Sequence, residues 1–401
     1  MYITAKIPHL LFLLMKNRHY KWLFVLPLFI LLAQPVQSQT KVLIDDIIFS
    51  IDARVAIDSL YNRNTAGARE IMQPWRDDHP EHPLWHLWDG MEIWWEILVD
   101  LDDTSMDEDF INKMREADYE ASRLLRRQPD HTDALIIRAV ANSYVARMHA
   151  NREEWVTSMT IGRRGYQAHQ RLVEVAPDLP DNLFAEGMKL YYSAYIPEAY
   201  PVVRAVSWFL PDGDREGGLK TLEDASNRAV FARPEAAYFL ATILLNYEED
   251  YDKAKIFFRR LVDQYPNNGY YRRQFMRTMA QLDEFSTMKS FYAETMQHWE
   301  RNDLPQDPVM DFELAYWYGR AQYHTGQLHR ALSSFSKSVE IGGTLINHEN
   351  RDLYTLAAYF AGTTSERLQQ RDSAKKYYEI AANQRAAPNA RRQARDRLSA
   401  M

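Results

Sequence analysis

Residues 313–343 read ELAYWYGRAQYHTGQLHRALSSFSKSVEIGG, and the spacing of a few small and aromatic residues in this stretch decides the fold. Two antiparallel helices joined by a short turn need small residues where their axes approach, and a large side chain to fill the gap beside that approach. Here Gly319 falls at place 8 of a unit, Gly326 at the turn, Ala331 at place 20 and Phe335 at place 24. A second copy follows, with Gly362, Ala374, Tyr378 and Ala381 in the same relative places. A third runs from Glu235 to Pro266 and puts Ala254, Phe258 and Pro266 at places 20, 24 and 32, the proline stopping the second helix.

Upstream the copies are worn but stay in phase. Pro80 precedes Gly90, Pro129 precedes Ala139 and Pro177 precedes Gly187, each by ten residues, the interval between a place-32 proline and the next place-8 small residue. A degenerate unit at about 268–300, marked by Met276, Met288 and Tyr292, fills the remaining gap. A period near 34 residues with these places is the tetratricopeptide pattern. It predicts an all-α, right-handed superhelical solenoid of tetratricopeptide-like helix pairs from about Ala53 to the C-terminus. Helical spacing agrees in Ile256, Phe257 and Leu261 and in Phe275, Met276 and Met279, and Asp252 and Asp372 are expected ahead of second helices.

Composition supports a helical core. The 401 residues are 46% hydrophobic and 13% aromatic with only 14 glycines, too few for the turns of an all-β fold. A net charge of −7 and no basic stripe argue against nucleic-acid binding. The absence of cysteine excludes disulfides, thiolate metal sites, a cysteine nucleophile and a lipid anchor on an N-terminal cysteine.

Lys16, Arg18 and Lys21 precede a twelve-residue apolar run, Trp22 to Ala33, and Val36 and Ser38 sit three and one residues before a cut after Ser38. That is a secretory signal peptide over 1–38, with translation starting at Met1 or Met15. As a helix the run rises only ~18 Å, short of the ~30 Å of a bilayer core. Removing the four basic residues of 1–38 leaves 44 basic against 55 acidic, a formal charge of −11. The expectation is a soluble, exported protein, periplasmic or extracellular and not a lipoprotein. Its layout is a signal peptide (1–38), an N-terminal segment (39–52), degenerate repeats (53–234) with an apolar insertion at 196–211, and C-terminal repeats (235–401).

Three pieces together resemble a particular tetratricopeptide family: WWEILVDLDD at 94–103, WFLPDGDREGGLKTLEDA at 208–225 and RPEAAYFLATILLNYEEDYDKA at 233–254. They are similar to eukaryotic proteins related to the mitochondrial outer-membrane protein of inclusion clearance, and more so to secreted bacterial proteins of the same layout. The resemblance covers roughly 50–390, with the segment around Gly213-Asp214-Arg215-Glu216 its distinctive part. It implies a helical repeat scaffold without catalytic residues. The eukaryotic relatives face the cytosol, so their roles do not carry over.

Chemical motifs do not assemble into a catalytic set. His79, His82 and His86 lack the HExxH glutamate, since Pro83 follows His82, and read as a polar helix entrance. Counted from Asp100, the acidic run has Ser105 and Asn112 where a calcium loop needs glycine and glutamate, so it reads as a solvated loop capping the next helix. The glycines at 213–218 fit neither phosphate-binding fingerprint and read as a sharp turn and helix cap. No catalytic residue, metal or cofactor is expected.

Places 2, 5, 9 and 12 of first helices point into the groove of such arrays. They select Met91, Trp94, Phe184, Met188, Tyr191, Arg273, Arg277, Tyr316, Arg320, Tyr323 and Tyr359. Such a lining suits an extended peptide or partner helix with apolar anchors and an acidic flank. The Lys/Asn set that clamps a chaperone's C-terminal carboxylate is absent. The expected partner is therefore a protein or peptide, with no nucleic acid. The alternative is a small apolar or lipidic ligand carried between the aromatic helices. The insertion at 196–211 offers a possible lid or membrane contact, though core packing is the expectation there.

Overall fold

The computed structural model describes residues 40–199 and 212–401. The expected signal peptide and most of the expected insertion, residues 200–211, lie outside them. Seventeen α-helices and no strand occur among the described residues. They run as eight successive pairs and a closing helix. The first four pairs are α1 (Ile47–Tyr61) with α2 (Thr65–Asp78), α3 (Leu84–Ile97) with α4 (Asp107–Arg127), α5 (Thr132–Asn151) with α6 (Trp155–Val175), and α7 (Asn182–Ala199) with α8 (Arg215–Arg228). The last four are α9 (Arg233–Asn246) with α10 (Tyr251–Gln264), α11 (Gly269–Gln281) with α12 (Phe285–Arg301), α13 (Pro308–His324) with α14 (Leu328–Gly342), and α15 (Asp352–Arg367) with α16 (Arg371–Ala382). Helix α17 (Pro388–Ser399) packs on the last pair. Each helix packs on its pair mate, and first helices touch the first helix of the next pair in α1–α3–α5 and α11–α13–α15. This is an all-α solenoid of tetratricopeptide-like helix pairs. Val42–Met401 forms one compact unit.

The residues that define the pattern do the packing expected of them. A Cβ placed on Gly319 would lie 2.7 Å from the Phe335 ring, and one on Gly362 would lie 2.6 Å from Tyr378. Ala254, Ala331, Ala374, Phe258, Phe335 and Tyr378 are all fully buried. In the worn upstream copies Gly90 faces Met114 and Gly187 faces Leu222. An aliphatic or thioether side chain fills the space there, which is why the aromatic signal fades.

A second repeated feature carries almost no sequence signal. In six of the eight pairs the turn between the two helices passes through one left-handed residue: Arg63, Glu153, Glu249, Asp283, Gly326 and Gln369. Only Gly326 is a glycine, so only that turn was visible in the sequence.

Details differ from expectation at three places. The cap of α10 is Asp250, whose carboxylate accepts from the Lys253 amide at 3.1 Å, and Asp252 and Asp372 sit inside the first turns of α10 and α16. Ile256 is exposed, and the buried stripe of α10 is Ala254, Phe257, Phe258, Leu261 and Val262. The acidic segment after α3 is solvated at Asp102, Thr104, Ser105, Glu108 and Asp109 but tied down at two other acids. Asp100 pairs with Arg351 at 2.7 Å and Asp107 with Arg152 at 2.6 Å.

The turn geometry makes a two-sided prediction. Gln369→Gly relieves a left-handed side chain and raises unfolding stability by about 1 kcal/mol, whereas Gly326→Ala lowers it by about the same amount. Gly319→Val forces the Phe335 ring away and costs about 2–3 kcal/mol. Urea unfolding of the three variants measures all of these.

Candidate functional site

The first helices α9, α11, α13 and α15 form the face on which a solenoid of this kind would hold a partner. The N-terminal ends of α9, α11 and α15 are already occupied by the chain's own first half. Asp58, at the end of α1, accepts from Arg233 at 2.8 Å and from the Tyr265 hydroxyl at 2.6 Å. Asn268 donates to the Tyr61 carbonyl, and the Asn267 amide donates to the Asn62 side chain. Arg273 of α11 donates to the carbonyls of Leu98 and Val99 and to Glu313. Arg351, before α15, holds Asp100 and lies 3.2 Å from Asp102.

At the centre of this contact lies a largely buried ion pair. Arg147 of α5 donates to Glu235 of α9 at 2.7 Å, and Glu235 also accepts from the Tyr61 hydroxyl at 2.6 Å. The Arg147 guanidinium lies over Trp94, Phe239 and Tyr238 at 4.7, 4.8 and 5.2 Å. Burial alone would weaken its basicity, but Tyr238 and Glu235 outweigh that, so its pKa rises and it stays charged. Burial, then the Glu235 charge, push the Tyr61 hydroxyl well above the tyrosine range, so it remains a donor.

This contact sorts the residues selected from the sequence. Trp94, Tyr191 and Tyr316 are core residues, and Arg273 is buried with its two terminal nitrogens engaged by the chain. They present nothing to an outside partner. Met91, Phe184 and Met188 are half-buried against the core, Phe184 beside Phe239. Arg277, Arg320, Tyr323 and Tyr359 remain half-exposed, toward the C-terminal ends and middles of the same helices.

The four belong to an uncovered strip. Arg320 stacks 4.5 Å over Phe360, donates to the Tyr316 hydroxyl, and has a buried Nε with no acceptor. Arg367, which the sequence reading missed because it lies a turn beyond the groove places, stacks 4.8 Å over Tyr323. Tyr359 lies against Phe360 and Tyr378, and Arg277 donates to Asn246. None of Arg277, Arg320 and Arg367 is in an ion pair with a described residue. His324 stacks on Phe285 at 4.4 Å, and burial followed by the Arg320 charge lowers its pKa. The strip thus offers aromatic surface and unneutralised cations, which suit a carboxylate-bearing ligand.

The other motifs have structural partners. Asp214 caps α8 through the Gly217 amide, and Arg215 grips Glu248 at 2.8 Å, which also accepts from the Tyr191 hydroxyl. The distinctive GDRE segment therefore pins the start of α8 to the end of α9. His82 faces Asp133 at 3.3 Å while His86 faces Glu116 at 3.2 Å, so the two histidines point to different partners. Among the described residues no helix is long and apolar enough to cross a membrane. Two depressions of about 360 and 300 Å³, open to solvent, lie elsewhere, between α4, α5 and α6.

No protein-family model matches the chain, and no curated protein matches it. Among solved structures, it is similar to one titled "Crystal structure of PilW, widely conserved type IV pilus biogenesis factor", at TM-score 0.28 and 14% identity over 72% of this chain and 93% of that one. It is also similar to yeast Tom70, at TM-score 0.23 and 12% identity over 88% of this chain and 95% of that one. At such scores neither likeness carries an argument about this protein.

Removing one partner of the central pair strands a buried charge. Glu235→Ala is expected to cost about 3–5 kcal/mol and Tyr61→Phe about 1.5–3 kcal/mol. Glu96→Ala, which breaks the more exposed pair with Arg63, changes stability by at most about 1 kcal/mol. Denaturant midpoints of the three variants test the ranking; equal effects would show that the Arg147 contact does not join the two halves.

Proposed function

We propose that this chain is an exported tetratricopeptide scaffold, acting in the cell envelope, that binds a protein partner through an acidic extended segment. The segment lies along the strip from Arg277 past Arg320 and Tyr323 to Arg367 and Tyr359. The observation that carries this reading is the set of three arginines interleaved with half-exposed aromatics and not neutralised by the chain. Elsewhere on the same face Arg233, Arg273 and Arg351 are all engaged by the chain's own carboxylates and carbonyls. A face that neutralises its cations at one end and leaves them open at the other is suited to supply them to a ligand. Guanidinium groups stacked on rings, as Arg320 and Arg367 are, stay charged and lose little freedom on binding a carboxylate. Binding, not chemistry, is the role that follows, since the strip holds no nucleophile placed beside a base.

The test is crosslinked capture from envelope extract with the wild type and with an Arg320→Glu/Arg367→Glu variant, both checked for helicity. A discrete partner retained by the wild type and lost by the variant is the expected result. Capture that is unchanged in the variant sinks the strip as the site, and co-purified lipid with no protein partner would favour a carrier instead. The proton balance gives a second readout. A ligand carboxylate beside Arg320 raises the lowered His324 pKa, so binding takes up a proton. Affinity then strengthens as pH falls from about 7 toward about 5, and His324→Gln removes that dependence.

A further inference from the structure

Two surface stripes remain unexplained by the packing or by the proposed strip. On α1, Ile47, Ile48, Ile51 and Val55 are 49–76% exposed, although they follow one another at helical spacing on a single face. On α6, Trp155, Val156 and Met159 are 61–74% exposed. These seven are more than half of the twelve large hydrophobic residues exposed among the described residues, so the exposure is concentrated rather than scattered.

The α6 stripe borders a groove. Its floor is α5, with Val145 and Asn142, and its walls are α4 and α6, with Met114 on one side and Val156 and Ile161 on the other. The cavity holds about 360 Å³ and continues into a second depression of about 300 Å³, which shares Arg115. Arg115 and Arg164 line opposite walls, and neither they nor Arg163 are in an ion pair with a described residue. The one acid in the first cavity, Asp118, is already held by Arg138 at 2.8 Å and by Asn142. Between Trp155 and Val173 the sequence has three arginines and no acid. Toward the far end the sign changes, at Glu108 and at Glu154, which faces His149.

Helix α1 carries the complementary order. Its stripe begins beside Asp45, exposed and in no ion pair with a described residue, and ends at the exposed Arg54. Asp45, just ahead of α1, and Arg54 mark the two ends of the stripe, and Glu108 and Arg115 are about 11 Å apart along α4. The charges match only if the two helices run in opposite directions. Residues 40–61, which hold α1, have four acidic against two basic residues. We infer that the groove between α4 and α6 takes helix α1 of a second copy of this chain, antiparallel to α4. Ile48, Ile51 and Val55 then meet Trp155, Val156 and Met159, Asp45 meets Arg115 and Arg164, and Arg54 meets Glu108.

Sedimentation velocity of the purified protein, with two sets of variants, decides the matter. Wild type is expected to self-associate. A helix variant, Ile48→Ser/Ile51→Ser/Val55→Ser, and a groove variant, Trp155→Ser/Met159→Ser, each weaken association at least about thirtyfold. Both alter exposed positions, and unchanged circular dichroism shows that they fold. Mixing the two restores a one-to-one complex, because one still has its helix and the other its groove. Asp45→Arg and Arg115→Glu/Arg164→Glu likewise fail alone and recover as a mixture. A monomeric wild type overturns the inference, as does a mixture of folded variants that stays apart. A monomer that pellets with anionic phospholipid vesicles would assign the stripes to lipid instead.

Discussion

The buried contact of Arg147 with Glu235 and Tyr61 governs the rest of the structure. It joins α5 to α9 and to the end of α1, positions far apart along a solenoid in which most helices pack on near neighbours. A charge so placed is stable only if every partner is present, because desolvation outweighs any single attraction. The three rings around Arg147 complete the cage. The same junction is repeated at smaller scale by Asp58 with Arg233 and by Arg273 with the carbonyls at the end of α3. The first half of the chain therefore acts as a fixed plug on the N-terminal ends of the later first helices.

That plug explains which part of the inner face is left to bind. In a linear array each repeat touches only its neighbours, and its first helices are open along their length. Here the N-terminal ends of α9, α11 and α15 are covered, and the surviving open surface is the band of Arg277, Arg320, Tyr323, Tyr359 and Arg367. Arg277, Arg320 and Arg367 in that band are in no ion pair with a described residue.

The fold was legible because its signals are local. A glycine at place 8 and an aromatic at place 24 meet within one helix pair, so spacing along the chain reports directly on contact, as Gly319 with Phe335 and Gly362 with Tyr378 show. The site was legible only in part. Groove places select Arg320, Tyr323 and Tyr359, which the fold leaves half-exposed. They do not say what lies inside, which depends on how the superhelix closes over more than a hundred residues. Trp94, Tyr191 and Tyr316 point inward and meet the chain itself. Glu235 and Arg147 carry no local mark of their pairing, since 88 residues separate them. The repeated left-handed turns were hidden for a different reason: five of the six residues that adopt them are ordinary polar residues at exposed or half-exposed positions, where the strain is small enough to tolerate.

Closure also changes how the repeats share stability. In an open solenoid the terminal units fray first, since each has one neighbour instead of two. Pair α1/α2 is terminal in sequence, yet Asp58, Tyr61 and Asn62 are tied to α9, α10 and the turn before α11. To release α1 the chain must expose Glu235 and the rings around Arg147, so the first pair opens only together with units at the middle of the array. The worn sequence of the early repeats fits that arrangement. A unit held by buried contacts to distant partners depends less on the small-residue and aromatic pattern that an isolated pair requires. The clearest patterns survive in α13 to α16, whose stability rests most on the pairs themselves.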